Sequence, residues 1–271
     1  MKFWGVRGSI PAPGEETRRY GGNTPCVEMR FGEQLLIFDL GSGARALGAS
    51  LDPAGVRATI FISHYHYDHL QGLPFFAPMY NPRSEFVVYG PSRDGRGIKA
   101  ILEGQMVPPY FPVTAEAVFR AKVEYREFRE GQRLQLGRGV VTALELNHPG
   151  GNLGYRVDYA GKSVVYATDI EHGSALDERL FRFARGADLL IYDAMYTEDE
   201  YHGRSGPPRT GWGHSTWQAA VNAADRSEAR RLVLFHHDPT RKDAEMVRLL
   251  RAVRRRRPEA IAARESMVLH A

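Results

Sequence analysis

"SHYHYDHLQG", residues 63–72, places His64, His66, Asp68 and His69 within six consecutive positions, and its reading decides the rest. Imidazole nitrogens and carboxylate oxygens are metal donors first and core formers rarely. In a chain of 271 residues with ten histidines, such a cluster should arise by accident about once in a thousand sequences of this kind. The stretch therefore predicts a metal site. Six residues cannot close one, so further ligands must come from distant sequence.

The cluster follows "ATIFIS" (58–63), a short apolar, β-rich run, and other such runs end in the same way. "IFDLGSG" leaves Asp39 at a strand end before a glycine turn, and "LELNHPGG" does so for His148. "VVYATDIEH" repeats the pattern for Asp169, and "RLVLFHHDP" repeats it for His236. Strand ends are where a rigid scaffold projects side chains from distant sequence into one site.

The remaining runs fill in the organisation. "VEMRF", "QLLIFDL" and "EFVVYG" read as strands in the first half, with helical patterns at "ARALGASL" and from Asp68 onward. The second half offers "KVEYREF", "GVVTALEL", "LGYRVDY", "KSVVYATD", "ADLLIYDA" and "RRLVLF" as strands. Helices at "SALDERLFRFA", "STWQAAVNAADR" and "DAEMVRLLRAVRRR" are interleaved with them. Gly131–Gln132 and Gly161–Lys162 read as hairpin turns, so antiparallel pairing is expected. No repeat or linker interrupts the chain, and residues 1–271 read as one α/β (α+β) domain: two mixed sheets face to face with helices outside.

Composition narrows the class. Hydrophobic residues make up 43% and charged residues 25%, ordinary for a protein with a substantial core. No apolar run approaches membrane-spanning length, and the opening "MKFWGVRGSIPAPG" lacks a signal-peptide pattern. A lone cysteine, Cys26, excludes an internal disulfide and takes thiolates out of the metal site, which suits a reducing cytoplasm. The net charge of +4 is mild, and much of it lies in "RLLRAVRRRRPEA". That run reads as a solvated helix end, where cations complement the helix dipole, in preference to a nucleic-acid patch.

In the order His64-x-His66-x-Asp68-His69, His148, Asp169, His236, with Asp39 ahead of them, the chain resembles the metallo-β-lactamase superfamily. The resemblance implies a four-layer αββα sandwich with two divalent metal ions at one edge. By it, His64, His66 and His148 hold one ion, Asp68, His69 and His236 hold the other, and Asp169 bridges them. Such a set leaves each ion a position for water, as a hydrolase needs, and a hydroxide shared between the ions would be the nucleophile. A nitrogen and oxygen donor set suits zinc first, with manganese or iron as alternatives. Asp39 is expected to accept a hydrogen bond from a ligating imidazole rather than bind metal.

The segment "WGHSTWQAAVNAA" resembles the His-Ser-Thr segment of ribonuclease Z and related phosphodiesterases. By that resemblance His214 protonates a leaving alkoxide or binds a phosphate oxygen; Asp68 and His214 are the two candidate catalytic residues. Ser215 or Thr216 can cap the following helix at the same time. "FWGVRGSIPAPG" and "YGGNTPCVEM" resemble the opening strand and glycine-rich loop of the same branch, and make Arg7, Ser9, Asn23 and Thr24 candidate substrate contacts. Ribonuclease Z carries a long arm between its third and fourth metal motifs to grip transfer RNA. Here only "PGGNLGYRVDYAGKSVVYAT" separates His148 from Asp169, enough for one hairpin. A small phosphodiester, such as a cyclic nucleotide, is therefore the expected substrate in place of a long nucleic acid. The alternatives are a lactonase, thioesterase or β-lactamase-like hydrolase, and a non-catalytic metal or redox module.

Two proline-interrupted loops, residues 104–113 and 203–213, carry Tyr110, Phe111, Arg209 and Trp212. They read as a lid that stacks on a base, as a contact between two copies of the chain, or as ordinary loops. Asp238–Pro239 reads as a helix N-cap. Glu171 and His172 are candidates for support around the metals; His202 and His270 are assigned no role.

Overall fold

A computed structural model describes residues 1–271. Its first half forms β1 (Lys2–Gly5), β2 (Cys26–Phe31), β3 (Gln34–Phe38), α1 (Gly43–Ser50), β4 (Arg57–Phe61), β5 (Glu85–Gly90), α2 (Ile98–Glu103), α3 (Ala115–Val118) and β6 (Lys122–Glu127). The second half forms β7 (Arg133–Leu136), β8 (Gly139–Leu146), β9 (Asn152–Tyr159), β10 (Lys162–Ala167), α4 (Asp177–Phe183), β11 (Leu189–Asp193), α5 (Glu198–Tyr201), α6 (Trp217–Arg226), β12 (Arg231–Phe235), α7 (Asp243–Arg254) and β13 (Ile261–Ala262). Strands β1 to β6 make one sheet and β7 to β13 the other, each in chain order.

Alternation along the strands explains why the sheets face each other. In β3, Leu36 and Phe38 enter the core between the sheets, while Leu35 and Ile37 face the layer of α1 and α2. In β12, Val233 and Phe235 point inward, while Leu232 and Leu234 meet α4, α6 and α7. Strands covered on both faces read as continuous apolar runs, as these do. The four-layer αββα sandwich follows. Phe38 sits at the centre of the inner core, with ring centroids 5.4 Å from Phe61, 5.5 Å from Tyr166 and 5.8 Å from Tyr155.

Strands β3 to β6 pair in parallel, and so do β10 to β13, with antiparallel pairs at β1–β2–β3 and β7–β8–β9–β10. The parallel blocks bring the C-terminal ends of several strands to one edge of each sheet, and that edge carries the site. No helix is long and apolar enough to cross a membrane.

Three local expectations are corrected. Residues from Asp68 onward form short 3₁₀ turns at Tyr67–His69, Leu73–Phe75 and Ala77–Tyr80 instead of an α-helix. Pro74 and Pro78 cannot donate to a helical ladder, and a side chain at Gly72 would lie 1.9 Å from the Gly41 carbonyl oxygen. Gly131–Gln132 is not a hairpin turn but the crossing from one sheet to the other; the hairpin lies one strand later, where Leu136 pairs with Gly139. Asp238–Pro239 does not start a helix. Asp238 Oδ1 accepts from Thr240 N at 2.8 Å in a turn of its own, and α7 begins at Asp243.

Candidate metal centre

The site is assembled from the ends of five strands. His64 follows β4, His148 follows β8, Asp169 follows β10, His236 follows β12, and Asp39 follows β3. Asp39, Asp169 and His236 adopt left-handed backbone angles, with φ of 59°, 53° and 56°. Non-glycine residues seldom do so, and here the turn directly after each strand redirects a side chain.

His64, His66 and His148 form one donor group, and Asp68, His69, Asp169 and His236 form a second. In the first, His66 Nδ1 lies 3.0 Å from His64 Nε2 and 3.1 Å from His148 Nε2. In the second, Asp68 Oδ2 lies 3.3 Å from His69 Nε2 and 3.1 Å from His236 Nε2. Asp169 reaches both groups: Oδ1 is 3.2 Å from His69 Nε2, and Oδ2 is 3.2 Å from His236 Nε2 and 3.6 Å from His64 Nε2.

Proton accounting tests whether cations fit. His148 Nδ1 lies 2.7 Å from the Gly213 carbonyl oxygen, so it carries the proton. Burial pushes this imidazole down to about 4 against the opposing pull of Asp169, so Nε2 presents a bare lone pair toward His66. His69 Nδ1 donates to Asp39 Oδ2 at 2.9 Å, and its buried Nε2 has no hydrogen-bond partner. Burial alone would raise Asp68 and Asp169, but the neighbouring His69 and His236 hold both well below the usual carboxylate range. Imidazole nitrogens and carboxylate oxygens from distant segments thus converge within a few ångströms of one another, and divalent cations fit this donor set.

A second layer fixes the donors. Asp39 accepts from Ser63 N, Ser63 Oγ and Tyr166 OH, each at 2.8 Å, in addition to His69, as expected of a carboxylate that orients an imidazole. Glu171 accepts from Gly211 N (2.6 Å), Gly213 N (2.8 Å) and Tyr201 OH (2.7 Å). Since the Gly213 carbonyl orients His148, Glu171 supports that imidazole at one remove.

His214 stacks on His236 with ring centroids 4.8 Å apart, and its Nδ1 lies 2.8 Å from Asp193 Oδ2. Burial would lower this imidazole, but the Asp193 charge and hydrogen bond outweigh it and lift it to about 9. Asp193 was not singled out from the sequence, although "ADLLIYDA" ends as the other site strands do. Thr216, not Ser215, caps α6 by accepting from Ala219 N at 3.1 Å; the Ser215 hydroxyl donates to the Ile170 carbonyl.

The four N-terminal candidates divide. Ser9 N donates to Asp68 Oδ2 at 2.8 Å, so Ser9 borders the centre. Asn23 Oδ1 accepts from Ser42 Oγ at 3.0 Å, and Thr24 Oγ1 accepts from Ser42 N at 2.8 Å. These two brace the start of α1. Arg7 is completely buried, with its guanidinium donating to the carbonyls of Gly21, Asp238 and Arg241 at 2.7–2.9 Å. Its charge ties the N-terminal loop to the segment after His236 and cannot reach a phosphate.

Residues 38–237 match the profile of the beta-lactamase superfamily domain. The chain belongs to this family. Among its relatives is a ribonuclease Z of Pyrococcus furiosus, 25% identical, aligned over 88% of this chain and 85% of the relative. The probable metallo-hydrolase YhfI of Bacillus subtilis is also 25% identical, over 90% and 91% of the two chains. In structure, YhfI superposes with a TM-score of 0.73 at 19% identity, covering 100% of this chain and 98% of the other. A diphosphatase from the PhnP family gives 0.71 at 19% identity, covering 100% and 96%. This superfamily member is a metal-dependent hydrolase.

Proposed function

We propose that the protein hydrolyses a small phosphodiester, a cyclic nucleotide being the first candidate, at a centre holding two divalent ions. The observation that carries this reading is His214 beside both donor groups, with one ring nitrogen taken by Asp193 and the other left to serve a substrate. A phosphodiester has a poor alkoxide leaving group and needs a proton donor, for which a histidine lifted to about 9 is well suited. The relatedness to a ribonuclease Z and the fold shared with a diphosphatase support phosphorus chemistry.

His64, His66 and His148 would hold one ion, Asp68, His69 and His236 the other, and Asp169 both. Zinc is the first choice for these donors, with manganese and iron next. Ions there would supply a water of lowered pKa and a counter-charge for the phosphoryl oxygens. The chain's own part is positional. Asp39 and the Gly213 carbonyl keep the lone pairs of His69 and His148 turned inward, and Asp68 is held by Ser9 N. Asp193 keeps a proton on His214 Nδ1, so that Nε2–H is the proton delivered to the departing oxygen as the P–O bond breaks.

Small size is supported by the segment between His148 and Asp169, which is spent on the β9–β10 hairpin with its turn at Ala160–Gly161. It has no residues left for an arm. The buried thiol of Cys26 fits a reducing cytoplasm, where we place the enzyme. The test is a side-by-side assay of the metal-loaded protein on a cyclic nucleotide, a lactone and a precursor transfer RNA. Turnover of the cyclic nucleotide well above the others is expected. Efficient transfer-RNA maturation with no action on cyclic nucleotides would overturn the small-substrate reading, and lactone turnover alone would overturn the phosphodiesterase reading.

A further inference from the structure

We propose that the cavity beside His214 seats a flat, uncharged ring carried on the alcohol side of the substrate, with Trp212 as its stacking surface. The proposal rests on the phosphodiesterase reading for the direction of departure. The cavity measures about 350 Å³, and Ser9, Arg209, Trp212, His214, Asp238 and Thr240 are among its walls. That is room for one ring system, at the small end of ligand pockets.

Trp212 is 57% exposed, so the core has little use for its indole. Its backbone is nevertheless pinned. Trp212 N donates to the Arg209 carbonyl at 3.2 Å, and the flanking Gly211 N and Gly213 N both donate to the Glu171 carboxylate. Both glycines hold φ near 83–84°, which a side-chain-bearing residue rarely adopts. A side chain at Gly213 would also lie 2.4 Å from His148 Nδ1. A large aromatic face is thus displayed on a rigid turn between a metal-ligand candidate and the proton donor. Pre-organised exposure of this kind suits binding, since little entropy is lost when a ring docks.

The charge in the cavity selects the ligand. Arg209 Nη1 donates to Asp238 Oδ2 at 2.8 Å, so its cation is already paired. Its guanidinium carbon lies over two rings, 4.7 Å from the Tyr196 ring centroid and 5.9 Å from that of Trp212, so the cation is also engaged by the aromatic wall. A second phosphate would face the Asp238 carboxylate, whose charge already offsets that of Arg209, whereas a neutral ring meets no such repulsion. His214 lines the same cavity, and the alkoxide it protonates departs toward it. The alcohol half of the substrate therefore lies here.

The test uses the full, metal-loaded chain, with Trp212→Ala and Trp212→Phe, on adenosine 2′,3′-cyclic phosphate and glycerol 1,2-cyclic phosphate. Loss of one base–aromatic stack should lower the ratio of kcat/KM for the ringed over the ringless substrate by roughly tenfold in Trp212→Ala, chiefly through KM, with most of it restored in Trp212→Phe. A ratio unmoved by Trp212→Ala overturns the proposal and leaves the phosphodiesterase reading intact. Calorimetric titration with adenosine and with ribose examines the cavity without turnover. Wild type should bind adenosine in preference to ribose, and Trp212→Ala should bind adenosine about tenfold more weakly. Failure of wild type to prefer adenosine, or equal binding by the variant, overturns the proposal. If neither cyclic phosphate is hydrolysed, the activity reading falls and the adenosine titration alone decides the cavity.

Discussion

Asp193→Asn should expose the role of the His214 proton. The substitution keeps the shape of the side chain but removes the charge 2.8 Å from His214 Nδ1. Burial is the strongest single influence on this imidazole and drives it down; Asp193 is the largest influence in the other direction and lifts it to about 9. Without that charge the imidazole should fall to its ordinary value of about 6.5 or lower. The acting form is the protonated one, so activity is present below the pKa and lost as pH rises through it. At about pH 7.5 the protonated fraction would fall from nearly all to about a tenth, a roughly tenfold loss in kcat from protonation alone, with misorientation of the ring adding to it. The assay is kcat against pH from 6 to 10 on a cyclic phosphate, whose leaving group is an alkoxide, with metal content measured in parallel. Wild type should hold its rate to higher pH than the variant, whose alkaline limb should move to lower pH with its metal content unchanged, because the Asp193 charge is the largest upward influence on His214. Identical alkaline limbs in the two proteins would refute the argument that Asp193 keeps His214 protonated for catalysis.

Elemental analysis of wild type should give about two divalent ions per chain, with His66→Ala and His69→Ala each losing one, since these residues sit in different donor groups; a single ion in wild type, or no loss in either variant, would contradict the assignment. Phe38→Ala should cost about 3–5 kcal/mol in urea unfolding, because a completely buried ring at the junction of three other aromatics is removed from between the sheets.

Much of the site was legible in the sequence because strand ends are a local signal. Apolar runs stopping at Asp39, His148, Asp169 and His236, together with the cluster at 64–69, mark donors without any knowledge of which strands are neighbours. The uninterrupted apolar runs in "QLLIF" and "RLVLF" likewise report burial on two faces, and so the sandwich. The partners of each donor were not legible, because partnership depends on closure across the sheets. Asp193 carries the same strand-end mark as the metal donors, and only the proximity of β11 to the turn before α6 makes it the partner of His214. Arg7 shows the converse. In sequence it is a cation in a loop near the site, but the fold wraps the loop so that carbonyls from 21, 238 and 241 take its Nε and Nη1 donors and the whole side chain is buried. Gly131–Gln132 has the residues of a hairpin turn, and whether the strand after a turn pairs back or crosses over is set by which sheet edge has unpaired backbone groups. Residue chemistry and periodicity are properties of short segments and survive in the sequence. Which polar group satisfies which is fixed only when distant segments have packed, since a buried donor takes the nearest acceptor that the tertiary structure delivers.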